Sequence, residues 1–405
     1  MCYNARNVFE LAKHHESAKQ RCGLYVHIPF CKTKCGYCDF YSVPTGLQPT
    51  RPLVDRVCTE LEHRLADHSL RMTTVFVGGG TPTLLPPADL RALLETLSRC
   101  VVITDLEEFT VEANPASVDD RKAALLVENG VGRVSMGAQS YFPKELEALE
   151  RIHCPDDIGP SVELLRRHGI GQVNLDLMFG IPSQSLVTWR ESLARTIDLG
   201  VDHISAYGLT YEPGTRLTAM RRAGHVTPCD EDLETDMYLL AIDVLNEAGF
   251  EQYEISNFAR PGCRCSHNLN YWRNGAYVGV GPSASGFVHG RRYKNVPDIV
   301  RYVRMMDQSG TAEIEAETPD VSTLAMELVM MQLRLVEGLS IELFHNCTGE
   351  DPLGLFQPLL DRFVEDHLVV ISDSHISLTR TGRLVANEVI RQLSSACELA
   401  VEPTA

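Results

Sequence analysis

Across roughly the first half of the chain, short runs rich in β-branched and aliphatic residues alternate with stretches whose apolar positions recur every three to four residues. The runs predict strands at Leu24–Pro29, Thr74–Gly78, Phe109–Glu112, Arg133–Gly137, Val173–Met178 and His203–Leu209. The periodic stretches predict helices over Pro52–Leu65, Ala88–Ser98, Asp119–Asn129, Pro160–His168 and Leu186–Leu199; in the second of these, Leu90, Leu93, Leu94 and Leu97 share one face. Asp119, Asp157 and Ser185 stand where helix caps belong, and Gly130, Gly169 and Gly200 where helices should stop. A strand-helix alternation of this kind requires parallel strands joined by crossover helices, so an α/β barrel or a doubly wound sheet is expected.

The pattern changes after Pro228. A long helix over Asp230–Ala248 is stopped by Gly249, and a loop-rich segment follows that contains Cys263, Cys265 and the block His267-Asn268-Leu269-Asn270-Tyr271-Trp272. Thr318-Pro319 opens a further helix with Leu324, Leu328, Met331 and Leu335 on one face. Another helix at Leu353–Asp366, strands at Leu368–Ile371 and His375–Leu378, and a last helix at Thr381–Leu393 make a smaller winged-helix-like α+β module. The expected division is therefore 1–22, an N-terminal segment; 23–215, the barrel; 216–317, helix and loops; and 318–405, the C-terminal module.

Charge narrows the partners. The 405 residues carry 54 acidic and 37 basic side chains, a net charge of −17, which disfavours a grip on nucleic-acid phosphates. The winged-helix-like module is itself strongly acidic, so it is expected to pack against the rest of the chain or a protein partner. Thirteen cysteines, an odd number in a chain this long, indicate reduced thiols. No run approaches the ~20 apolar residues that span a bilayer, and the opening stretch has no secretory core. Glu10 and Glu16 argue against a mitochondrial presequence. A cytoplasmic protein is expected.

Chemistry concentrates at Cys31, Cys35 and Cys38, spaced Cys-x3-Cys-x2-Cys just after the first strand. Three thiolates in one turn are ligands for an iron–sulfur cluster; zinc normally takes four ligands, usually in two pairs, and no second pair follows. On a four-iron cluster, three cysteines leave one iron open. The alternative is three buried thiols or a disulfide. Polar residues also end successive strands, where the chemistry of such folds gathers: Gly78-Gly79-Gly80-Thr81-Pro82, Glu112, Gln139, Asp176 and Tyr207. The glycines let a ligand approach the backbone, and free N–H groups there could hold a carboxylate. Taken singly, Glu112 or Asp176 reads as a paired structural acid. Cys263-x-Cys265-x-His267 is too tight for a zinc pair, and Gly279-x-Gly281 does not complete a dinucleotide fingerprint.

The cysteine triad preceded by Tyr25-Val26-His27-Ile28-Pro29-Phe30 resembles radical S-adenosylmethionine (SAM) enzymes of the oxygen-independent coproporphyrinogen oxidase and heme-chaperone group. The HNLNYW block and Leu378-Thr379-x-x-Gly382 extend the resemblance to about residue 390. It implies a partial (β/α)6 barrel and a [4Fe-4S] cluster whose fourth iron is chelated by the amino and carboxylate groups of SAM. It further implies that Gly79, Gly80, Thr81 and Glu112 bind SAM and that Gln139, Arg151 and Asp176 line a second SAM or substrate position. By the same likeness Tyr25 contacts SAM and Tyr37 faces the active site. His267, Asn268, Tyr271 and Trp272 match a heme motif, with a neutral imidazole as iron ligand and aromatic neighbours against the porphyrin; without that match, His267 reads as a hydrogen-bonded packing histidine. The oxidases carry a fourth cysteine where this chain has Phe40, and a longer segment before the cluster. Both departures favour a heme chaperone with a heme-acceptor protein and a reductant such as flavodoxin or ferredoxin as partners. A decarboxylating oxidase of coproporphyrinogen and a SAM-dependent enzyme on another substrate are the other readings.

Overall fold

The computed structural model describes residues 19–399; the segment carrying Glu10 and Glu16 lies outside the described residues. The first strand, β1 (Gln20–Ile28), leads into two short strands, β2 (Phe30–Cys31) and β3 (Val43–Pro44), that flank the cysteine loop. Five longer strands follow at the expected places: β4 (Leu70–Gly79), β5 (Glu108–Ala113), β6 (Arg133–Gln139), β7 (Gln172–Phe179) and β8 (His203–Gly208). Together with β1 they form a parallel ladder in chain order. Helices Thr50–Leu65 and Pro87–Cys100 cover its outer face, with Leu53, Leu61, Leu90, Leu93, Leu94 and Leu97 fully buried. Each such side chain contributes about 1.5–3 kcal/mol of hydrophobic stabilisation.

Residues after the second half of the barrel complete the sheet. At one side β8 is followed by antiparallel β10 (Asn257–Ala259) and, beyond it, β9 (Glu251–Gln252). At the other, β11 (Tyr277–Val280) adds in parallel to β1, and β12 (Ser285–Val288), β13 (Arg291–Asn295) and β14 (Glu313–Glu317) continue as an antiparallel meander. The twelve strands end at β14 and β9, so the barrel stays open, and its parallel strand ends face one side.

The expected helix stops hold, with Gly130, Gly169 and Gly200 at φ +81°, +94° and +64°, the left-handed region that glycine enters without strain. Asp119 and Ser185 accept the amides of Lys122 and Thr188 at 2.8 and 3.2 Å. Asp157 differs: it precedes helix Ile158–Arg167 but its carboxylate instead accepts the amide of Cys154 at 3.0 Å, closing the short turn before that helix.

The C-terminal residues bury a second core of Leu328, Phe344, Phe356, Leu360, Phe363 and Leu393 around a small sheet of β15 (Leu339–Ser340), β17 (His375–Leu378) and β16 (Val369–Ile371), in that order. The last predicted helix is two, Arg380–Leu384 and Ala386–Leu399. Gly382 has to be glycine: a Cβ there would lie 1.9 Å from the Leu368 carbonyl oxygen. The bridge between Glu254 and Leu335 joins this module to the barrel. No helix among the described residues is long and apolar enough to cross a membrane.

Candidate functional site

The cysteine loop is held at both ends. Val43 N–H donates to Pro29 O and Thr45 N–H to Cys31 O, each at 2.7 Å, as β2 and β3 pair. Its far side is pinned by Gly36, whose N–H reaches Leu149 O at 3.2 Å and whose carbonyl accepts Leu217 N–H at 2.8 Å. Cys31, Cys35 and Cys38 are all half-buried on this loop. Burial, with charge on Cys35 and Cys31 adding to it, pushes the Cys38 thiol up to about 11, and burial likewise raises Cys31. The Arg151 guanidinium donates to Cys35 Sγ at 3.6 Å. Among the described residues no three His, Cys, Asp or Glu side chains converge as a preformed metal site. The donors themselves, three thiols on one pinned loop with a cation beside them, are the chemistry of an iron–sulfur centre.

Next to the loop, the Gly78-Gly79-Gly80-Thr81 turn is built for close packing. Its N–H groups are not free as expected: Gly79 N–H donates to Glu112 Oε2 at 2.9 Å, Gly80 N–H to Ile28 O at 3.0 Å and Thr81 N–H to Phe30 O at 2.7 Å. A Cβ on Gly79, at φ +98°, would lie 2.3 Å from the His27 ring, and one on Gly80 2.7 Å from Phe30 O. His27 in turn accepts the Tyr25 hydroxyl at Nδ1 (2.9 Å) and donates from Nε2 to Tyr41 O (2.9 Å). Burial keeps that imidazole neutral by lowering its pKa. Thr81 Oγ1 accepts from Asn114 at 2.8 Å.

On the following strands, Arg151 bonds Asn114 Oδ1 at 2.8 Å and the Gly137 carbonyl. Gln139 is buried at φ +65°, at a bulge between β6 and β7 that re-aims its side chain. Asp176 accepts Asn174 Nδ2 at 2.8 Å, and Asn174 continues through its Oδ1 to His203 (2.7 Å), which reaches the Tyr253 hydroxyl at 2.8 Å. Burial raises the Asp176 carboxyl. Tyr37 packs against the Leu149, Met178 and Leu209 cluster, while Tyr207 is 39% exposed. The structure thus brings together Tyr25, Tyr37, Gly79, Gly80, Thr81, Glu112, Gln139, Arg151 and Asp176 around the strand ends that carry the cysteine loop.

His267 is placed otherwise. It is buried within helix Ser266–Trp272, with Nδ1 on Thr74 Oγ1 (2.8 Å) and Nε2 on the Tyr271 hydroxyl (3.0 Å). Its ring stacks on Phe76 at 5.2 Å, and burial depresses its pKa to about 3. Both nitrogens are engaged inside the protein, so the expected iron ligand is a packing histidine in this arrangement. Asn268 is half-buried, and Arg334 covers the Trp272 ring at 5.1 Å. Cys265 donates to Glu108 at 3.1 Å, which disposes of a metal pair with Cys263.

Residues 25–196 match the radical SAM superfamily and residues 322–385 the HemN C-terminal domain. The protein named heme chaperone HemW of Bacillus subtilis is 34% identical over 90% of this chain and 97% of its own length. This chain belongs to the HemW family. HemW of Escherichia coli is also 34% identical, over 91% and 96% of the two chains, and the mouse mitochondrial radical SAM domain-containing protein 1 is 39% identical over 67% and 62%. The solved structure of coproporphyrinogen III oxidase (HemN) from Escherichia coli superposes with a TM-score of 0.78 at 21% identity, covering 98% of this chain and 94% of that one; the likeness is one of fold.

Seen as a HemW-family chain, its site also uses residues that no motif marked. Asn114, His203 and Tyr253 are single polar residues whose side-chain partners lie far along the chain, so only the folded sheet reveals them, and Asn174 links His203 to Asp176 two residues on. Glu108 is another: its carboxylate accepts the Ser266 amide at 2.8 Å, capping the helix that carries HNLNYW, and lies 3.4 Å from Arg133. Glu108 starts its strand, opposite the end where the site residues gather, so it braces the HNLNYW helix and takes no direct part in the strand-end site.

Proposed function

We propose that this protein binds heme and delivers it to an acceptor protein, and that it carries a [4Fe-4S] cluster on Cys31, Cys35 and Cys38 with SAM lying across the strand ends. The observation that carries the reading is the three-thiol loop pinned directly beside the Gly79–Glu112 pair, supported for heme by full-length relatives named heme chaperones. When bound, the cluster supplies one-electron reduction. The protein's own part is to hold and orient: Glu112 offers a carboxylate to the SAM ammonium, Thr81 and Asn114 fix the turn, and Arg151 sets positive charge beside Cys35. Gln139 and Asp176 border the position that a second ligand would take. A flavodoxin or ferredoxin would supply electrons from outside. The division at residues 215 and 317 and a cytoplasmic location belong to the same reading, the former supported by the separate C-terminal core.

Coproporphyrinogen oxidation is the second reading, favoured by the fold shared with HemN. Against it stands Phe40, 66% exposed on the loop where those oxidases have a fourth cysteine. The test is anaerobic reconstitution followed by titration with hemin and an assay with coproporphyrinogen, SAM and reductant. Heme binding without carbon dioxide release is expected. Sustained decarboxylation would replace the chaperone with the oxidase.

A further inference from the structure

Among the described residues, Arg151 is the one lysine or arginine that bonds a cysteine of the triad, from Nη1 to Cys35 Sγ at 3.6 Å; Lys34, on the same loop, is turned to the Phe40 carbonyl at 2.9 Å. We infer that Asn114 and Gly137 are positioning residues for the cluster: they seat the Arg151 guanidinium against Cys35 and thereby raise the reduction potential of the centre. The inference rests on the cluster reading of the proposed function and is independent of heme.

Arg151 leaves the backbone beside the loop, since the Leu149 carbonyl two residues earlier holds the Gly36 amide. Its guanidinium must still cross to Cys35 on a long side chain with many rotamers. Asn114, just after β5, fixes it. The Oδ1 of Asn114 accepts Arg151 Nη2 at 2.8 Å while its Nδ2 donates to Thr81 Oγ1 at 2.8 Å, so turning the amide over would set its own donors against the guanidinium. The Asn114 backbone is anchored as well: its N–H donates to Ser117 Oγ at 2.9 Å, and its carbonyl accepts from that hydroxyl at 2.6 Å. The same Arg151 Nη2 also donates to the Gly137 carbonyl. Gly137 lies outside the left-handed region, so its backbone does not call for glycine, but the space does. A Cβ there would lie 3.0 Å from Arg151 Nη2, 3.3 Å from Asn114 Oδ1 and 2.9 Å from Gln139 Nε2. All three are ends of side chains, which would shift and leave the strand in place.

Arginine keeps its charge at any working pH. Reduction adds one negative charge to a cluster, and a fixed cation against one of its thiolate ligands favours the reduced state; net charge and hydrogen bonds to the sulfurs are what set such potentials. In its half-buried seat the guanidinium is screened less than a charge in open water. Free to swing, it would spend part of its time away from Cys35 and lose that effect. Thr81 stands on the turn proposed for SAM, so one amide ties that turn to the arginine that reaches the cluster ligand.

The experiment is an anaerobic redox titration of the reconstituted full chain without SAM, followed by visible bleaching and by the paramagnetic signal of the reduced cluster, with iron content and circular dichroism as checks on loading and folding. Arg151→Gln, Asn114→Ala and Gly137→Ala should each shift the reduction equilibrium about tenfold toward the oxidised cluster, a midpoint about 59 mV more negative for one electron. Asn114→Ala placed on Arg151→Gln should add nothing, because the amide acts through the guanidinium, whereas a general loosening of the loop would shift the potential in both backgrounds. Should Asn114→Ala fail to load, Gly137→Ala with and without Arg151→Gln makes the same comparison. Equal shifts in the two backgrounds would overturn the inference. So would wild-type potentials in Asn114→Ala and Gly137→Ala, whether or not Arg151→Gln lowers its own, and the cluster reading would survive. A wild type that holds no cluster would end that reading and the inference together.

Discussion

The carboxyl of Glu112 accepts the backbone N–H of Gly79 at 2.9 Å across the ends of two neighbouring strands, and Gly78 leaves it room, since a Cβ there would come within 2.7 Å of its oxygen. Burial, reinforced by the charge of Asp176 against the Gly79 hydrogen bond, pushes this carboxyl up to about 8. It is therefore protonated at neutral pH until a cation pairs with it. Binding the SAM ammonium should expel that proton, so SAM affinity should rise with pH up to about 8 and then level off. Glu112→Gln should weaken binding and flatten the profile. Calorimetry in buffers of different protonation enthalpy checks this; a proton release unchanged in the variant would remove Glu112 from the site.

The same shift has a sign for stability. The native carboxyl holds its proton between the ordinary value of 4.5 and about 8, while the unfolded chain has lost it. Stability contributed by this group is full below the unfolded value and falls as pH rises through that window. Denaturant melts of ligand-free wild type should show the decline, and Glu112→Gln should lack it.

Gly79→Ala should be strongly destabilising, because it combines φ +98° with a Cβ 2.3 Å from the His27 ring. A loss of about 2–4 kcal/mol is expected in urea unfolding. Since the clash is with one side chain, His27→Ala in the same background should recover part of the loss, a coupling that a double-mutant cycle measures directly.

How far the chain announced this structure differs from one half to the other. The six parallel strands were legible because each is buried on both faces and reads as an apolar run between periodic helices. β11 to β14 were not. Gly279 and Gly286 look like loop residues, yet a Cβ at Gly279 would sit 1.9 Å from the Ser285 carbonyl oxygen and one at Gly286 2.3 Å from the Tyr293 ring; here glycine serves close packing of strands. The same confusion applies at Gly78 to Gly80, where the glycines were expected to free amides for a ligand and instead let neighbouring strands and side chains approach. Glu60 shows the other kind of gap. Its buried carboxylate accepts from Gly281 N–H at 2.9 Å, Asn295 at 2.9 Å and the Tyr302 hydroxyl at 2.6 Å, all more than two hundred residues away, where no local pattern reaches. The cysteine triad needed no such help, because its spacing alone fits one loop.

In the C-terminal module, Gly382→Ala should unfold local structure. Its Cβ would meet the Leu368 carbonyl oxygen at 1.9 Å, and that clash is with backbone, which cannot rotate aside. The short helix Arg380–Leu384, capped by Thr379 Oγ1 accepting Gly382 N–H at 2.9 Å, would have to move. Hydrogen exchange should show lost protection over residues 368–399 with the parallel sheet unaffected, and uniform protection would mean that the turn relaxes cheaply.

Replacing Cys31, Cys35 or Cys38 singly with alanine should abolish the visible iron–sulfur absorbance after anaerobic reconstitution, since three thiolates leave none to spare. Cys265→Ala should leave it intact, because that thiol is spent on Glu108. Cluster dependence on Cys263 or Cys265 would put the metal in the wrong loop.

His267→Ala tests whether the motif histidine is a ligand or a brace. Its two hydrogen bonds run to Thr74 on β4 and to Tyr271 one helical turn along, and its ring stacks on Phe76. Removing it leaves two buried hydroxyls unpartnered and a void beside an aromatic ring. A loss of about 2–5 kcal/mol is therefore expected. Heme affinity of the folded fraction should change little, and the axial-ligand spectrum not at all. His267→Gln, which can still reach one hydroxyl, should recover part of the stability. The measurement is hemin titration alongside urea unfolding of both variants. Loss of an imidazole-ligated signature in a variant that is still folded would show that His267 leaves its partners to bind iron, and would place the heme site at the HNLNYW helix.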